Sequence, residues 1–134
     1  MLSIFPDLLT YHLLAPFIIR LMLGLIFINA GYIKLWSGHK DKIDFFNKAG
    51  LRPGVFYTWF IGGIEFIGGI FLIIGYLTQP VGLALALILA GAVVIKIKNP
   101  ELLPETRALY VILMIICISL IFSGAGFFAI DYPL

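Results

Sequence analysis

One carboxylate, Glu65, interrupts the apolar run GGIEFIGGIFLIIGYLT at residues 62–78, with glycines close on either side. A carboxylate placed among hydrocarbon is either protonated, paired with a cation facing the protein interior, or used as a proton acceptor or polar anchor for a small ligand. The basic residues that lie within the apolar stretches are Arg20, Lys34 and Lys96, and a second acid, Asp131, follows the last apolar stretch. A buried acid beside a lysine ammonium can fix helix register, or it can hold a quinone in an apolar cavity with a few convergent polar groups. Both readings of Glu65 stand on the sequence. Other chemistry is scarce. Cys117 is the single cysteine, so an internal disulfide or a CxxC pair is excluded. His12 and His39 are the only histidines, and they fall on opposite sides of the membrane in the topology below. Each is read as an ordinary interfacial side chain, and no metal or bis-histidine haem site is expected. No nucleophile and base pair or phosphate loop is visible, so the chain is not expected to be an enzyme on its own.

The elements that carry these residues follow from composition. The chain has 134 residues, 62% of them hydrophobic and 12% charged, with a mean hydropathy of +1.11. Soluble domains carry roughly 45–50% apolar and about 25% charged residues, so this chain belongs in a bilayer. Four apolar stretches reach bilayer length: residues 15–36, 57–77, 79–97 and 108–128. Each must be a helix, because a lone strand in lipid leaves its backbone unpaired. The expectation is an all-α, antiparallel bundle of four transmembrane helices forming a single domain over residues 1–134, with no room for a separate soluble module. The short LTQPV turn makes the second and third spans a hairpin. In the polar connection SGHKDKIDFFNKAGLRPG, Asp41 to Ala49 forms a short amphipathic helix with Ile43, Phe46 and Ala49 toward the membrane and Gly50 ending it.

Orientation follows from the basic residues. Lys34, Lys40, Lys42, Lys48, Arg52, Lys96, Lys98 and Arg107 lie in or beside the two long loops, and Arg20 alone belongs to the opposite side. The loops are therefore expected in the cytoplasm and both termini outside. The start of the chain has no basic n-region and reads as part of a retained protein, not a signal peptide. The formal charge of +2 reflects this topology and implies no nucleic-acid partner.

Helical spacing then assigns faces. Gly62, Glu65, Gly69 and Tyr76 share one face of the second span, with Gly68 and Gly75 beside it, and Arg20, Gly24, Phe27, Gly31 and Lys34 form a stripe on the first. Gly24, Gly31, Gly62, Gly68 and Gly69 are the expected helix-packing positions, since small residues let membrane helices approach closely. Glu65 lies roughly 12 Å into its span. Side chains lean toward a helix N-terminus, which aims Lys34 first and Lys96 second at Glu65 and leaves Arg20 for Asp131. Trp36, Tyr32, Trp59 and Tyr76 are either cavity walls or interface anchors.

The stretches RLMLGLIFINAGYIKL, IEFIGGIFLIIGYLT and FSGAGFFAID, in that order, resemble the DoxX family of small four-helix bacterial and archaeal membrane proteins. The resemblance covers nearly the whole chain and includes Arg20, Lys34, Glu65 and Asp131. It departs at Ala129, where the family's terminal motif usually has serine. It implies a plasma-membrane component linked to quinone, sulfur or thiol oxidoreductase systems. The expected role is an accessory redox-linked subunit, with a quinone as candidate ligand and other membrane or redox subunits as partners; homo-oligomerisation is left open. The alternative is a small-molecule transporter or membrane scaffold without redox chemistry.

Overall fold

The computed structural model describes residues 6–131; residues 1–5 and 132–134, and with them the two chain ends expected outside the cytoplasm, lie outside the described residues. A 3-10 turn, Pro6–Tyr11, leads into α1 (Leu14–Tyr32), which continues as a π-helical turn, Ile33–Ser37. There follow α2 (His39–Lys48), α3 (Gly54–Ile74), α4 (Thr78–Lys98) and α5 (Arg107–Ser123). Among the described residues there is no strand. Three stretches, Leu14–Ser37, Gly54–Ile74 and Thr78–Lys98, are long and apolar enough to cross a membrane, while the apolar α5 has 17 residues. At 1.5 Å per residue α5 is roughly 25 Å long, against about 30 Å of hydrocarbon. The fourth apolar stretch was expected to stay helical to Phe128. It stops at Ser123 because Gly124 adopts φ 72°, a left-handed conformation open to glycine, and the chain then folds back.

Glycine decides how α1 and α3 meet. A Cβ on Gly24 would sit 2.7 Å from the Gly69 carbonyl oxygen, and one on Gly31 2.7 Å from that of Gly62. The backbones are therefore in contact, and the pairing shows that the two helices run in opposite directions. Gly68 turns to α4 instead, where Val81 and Leu85 cover it. α4 packs along α5, with Gly82 against the Cys117 carbonyl. Between the two helix pairs lies a core of Leu23, Phe27, Leu72, Leu85, Ala86, Leu89, Cys117 and Leu120.

Two short segments close the ends. At one end α2 lies against α3 through buried Phe46, and Asn47 Oδ1 accepts a hydrogen bond from the Gly54 amide at 3.0 Å, capping α3. Its helix begins at His39, two residues before the amphipathic segment read from the sequence. At the other end residues 124–131 form a strap. The Phe127 amide donates to Leu13 O at 3.1 Å and the Asp131 amide to Gly75 O at 2.9 Å.

Candidate functional site

Glu65 lies midway along α3 and Lys34 in the π-helical turn that ends α1. The close approach of α1 to α3 at the glycines brings them together: Lys34 Nζ donates to Glu65 Oε2 at 2.6 Å. The lysine stem packs beside Gly62, where a Cβ would lie 2.9 Å from Lys34 Cβ. The Glu65 side chain is 6% exposed and that of Lys34 16%. This is the one ion pair found among the described residues. It uses one of the carboxylate's two oxygens and one of the ammonium's three donors. Beyond their mutual contact the pair keeps one carboxylate oxygen as an acceptor and two ammonium donors.

Three further groups lie near the pair. His39 Nδ1 lies 2.9 Å from Lys34 O, and its ring meets Trp59 of α3 edge-on at 5.2 Å between centroids. Lys42, on α2, has its ammonium 5.7 Å from the centre of the Phe45 ring. Burial, and then the like charge of Lys34, push the Lys42 ammonium below the usual lysine range, with Glu65 and Asp41 opposing. Tyr110 of α5 packs against the core. From the sequence Lys42 reads only as a loop cation, and neither His39 nor Tyr110 stands out as a neighbour of Glu65. The signal for His39 and Lys42 was the helical spacing of both with Phe46 on the inward face of α2.

Lys96 does not reach Glu65. Its ammonium donates to the Pro100 carbonyl at 2.7 Å and to that of Leu103, closing the turn after α4. Carbonyls beyond a helix end lack intrahelical donors, and the nearest ammonium satisfies them. Arg20 is fully buried and donates Nη2 to the Phe127 and Phe128 carbonyls at 3.0 and 3.2 Å, without a direct ion pair to Asp131. Asp131 is instead held on the start of α4, accepting from the Leu77 and Thr78 amides at 3.0 and 2.7 Å. Burial raises the Asp131 carboxyl, but the amides of Thr78 and Leu77, with Arg20 nearby, outweigh it and hold it below the usual carboxylate range. Arg20 and Asp131 thus lie close enough for their charges to interact, as the sequence placed them, but the strap carbonyls and the amides at the start of α4 take their hydrogen bonds.

The aromatic residues divide clearly. Tyr32 stacks on Trp36 at 5.5 Å and Trp36 meets Phe66 at 5.4 Å. Tyr32, Trp36, Trp59 and Tyr76 are each more than 40% exposed (49, 56, 53 and 43%), as interface anchors are, and Trp59 also lines a surface groove. Among the described residues two depressions stand out. One of about 540 Å³ lies at the strap end beside Thr78, Ser123 and Asp131, and an apolar groove of about 410 Å³ runs along α3 and α4 past Trp59, Gly63, Phe71 and Val81. Neither is lined by Glu65 or Lys34. Cys117 is free and buried, and among the described residues no three His, Cys, Asp or Glu side chains gather as metal ligands.

Comparison with known proteins adds to this geometry. The DoxX family model matches residues 15–96, a stretch holding Arg20, Lys34, Glu65 and the five packing glycines. A protein of Bacillus subtilis (strain 168) named "Putative oxidoreductase CatD" is 33% identical over 115 residues, which is 85% of this chain and 82% of that protein. No solved structure matches the chain at a significant level.

Proposed function

The chain belongs to the DoxX family of membrane proteins, and from that premise we propose that it is an accessory subunit of a redox-linked membrane system, quinone, sulfur or thiol oxidoreductase in kind. In this reading α5 is a fourth membrane helix, antiparallel to α4. The protein sits in a prokaryotic plasma membrane with its two basic loops in the cytoplasm and both termini outside. The observation that carries the reading is the Lys34–Glu65 pair, buried against α3 with donors and one carboxylate oxygen left over. The oxidoreductase name of the Bacillus relative supports it.

A quinone head fits this donor set, because it presents a carbonyl that Lys34 can bond and, once reduced, a hydroxyl that Glu65 can accept from. A bound quinone would supply two-electron carriage, with electrons coming from a partner protein's redox centre. The chain's own residues orient the head and hold or give up a proton at Glu65 Oε1. Mass spectrometry of gently purified protein tests this: quinone should co-purify with the parent chain and be lost from a folded Glu65→Gln variant. Equal quinone in both, or none in either, ends the quinone reading.

A second reading, a transporter or scaffold without redox chemistry, is favoured by the direct backbone contact of α1 with α3 and by the absence of Glu65 from both depressions. Co-purification of a partner membrane protein without quinone supports it.

A further inference from the structure

The end of α1 departs from α-helical geometry at the residue that carries the site's cation. The Gly38 amide, which an α-helix would place on the Lys34 carbonyl, bonds to Ile33 O at 2.8 Å. The ring of His39 takes the Lys34 carbonyl instead, Nδ1 to oxygen at 2.9 Å. A carbonyl has no proton to give, so the ring nitrogen must be the donor: His39 carries its proton on Nδ1. The same ring packs edge-on against Trp59, which lies on α3, the helix of Glu65. Single-turn π segments are frequent at functional sites, where they redirect one side chain.

We infer that His39 is a positioning residue for the Lys34–Glu65 pair: through an Nδ1–H bond to the Lys34 carbonyl and contact with Trp59, it locks the π-helical turn that sets the lysine ammonium on the carboxylate. Lys34 is then held at three points, its backbone by His39, its stem against Gly62 and its ammonium on Glu65. The inference concerns the pair itself and stands with or without a quinone bound.

The test reads the pair and the tautomer separately, on the full chain in detergent or lipid and without added quinone. The Glu65 carboxylate stretch is identified by infrared difference against Glu65→Gln. Asparagine places an amide nitrogen near the position of Nδ1, whereas glutamine places one near Nε2. His39→Asn should keep the Glu65 band at its parental frequency, and His39→Ala and His39→Gln should both shift it. If all three variants melt lower yet leave the band unmoved, His39 is merely structural and the inference falls. Should His39→Ala fail to fold, nitrogen-15 NMR of the parent histidines at alkaline pH, assigned with His12→Gln, still decides. A neutral His39 protonated on Nδ1 supports the inference, and one protonated on Nε2 overturns it.

Discussion

Gly24 and Gly69 place their backbones in mutual contact: a Cβ on either would lie 2.7 Å from the other's carbonyl oxygen. Even alanine would force α1 from α3 there. Gly69→Leu should therefore lower the melting temperature in detergent strongly, by the equivalent of about 1–3 kcal/mol or more. Gly63→Ala is the control, since a Cβ there meets nothing within 4 Å. It should leave stability unchanged or raise it, by up to about 1 kcal/mol, as glycine is a poor helix former. A Gly69→Leu protein as stable as the parent would mean that α1 and α3 are not held this way.

Separating the α1 and α3 backbones would also part Lys34 from Glu65, so the pair has its own stability signature. If its role is structural, Glu65→Gln strands a largely buried ammonium and costs on the order of 3–5 kcal/mol, and adding Lys34→Met recovers much of it. If its role is to serve a ligand, Glu65→Gln keeps the fold and loses the ligand. Melting temperature and bound quinone, measured for both single variants and the double variant, distinguish these outcomes. A restored double variant with unchanged ligand content would remove the functional reading.

Asp131 makes stability depend on pH at the strap end. Its carboxyl is held below its ordinary value in the folded state, so its contribution is present above the unfolded pKa of about 3.9 and is lost as pH falls through the lower folded value. Asp131→Ala should melt below the parent at neutral pH, and the two melting curves should converge in strong acid. A gap that persists undiminished into acid would mean that the carboxylate is not what fastens the strap to α4.

Arg20 is buried with Nε and Nη1 unbonded. Ala129 stands where the family's terminal motif usually has serine, and its side chain and Arg20 Nη1 crowd the same space over Gly75. Ala129→Ser should give the guanidinium an acceptor and raise stability by about 1 kcal/mol. The same substitution in an Arg20→Met background should give no such gain, which separates the hydrogen bond from any general effect of serine.

Orientation is checked by single-cysteine labelling in a Cys117→Ser background. Cysteines at positions 40 and 98 should resist an impermeant reagent in intact cells and react after permeabilisation. Labelling of both in intact cells would invert the topology.

The sequence by itself determined that the chain is membrane-embedded and helical, because a run of apolar residues in lipid has no other way to satisfy its backbone. The resemblance carried by its three stretches named the family. Glu65 was legible as a residue needing a partner, since an ion in hydrocarbon is costly wherever it lies. Which partner it finds was decided by tertiary structure. Lys34 and Lys96 lean the same way on paper, and what separates them is that the turn after α4 offers Lys96 free carbonyls while glycine contacts press α1 onto α3. His39 and Lys42 join the site because α2 lies across α3, a packing choice with no periodicity in the linker to announce it beyond three residues on one face. Arg20 went to backbone carbonyls of the strap and Asp131 to the Leu77 and Thr78 amides at the start of α4. Every residue carries a backbone carbonyl and every residue but proline an amide N–H, so no reading of side-chain types could have selected these few; the fold-back at Gly124 did.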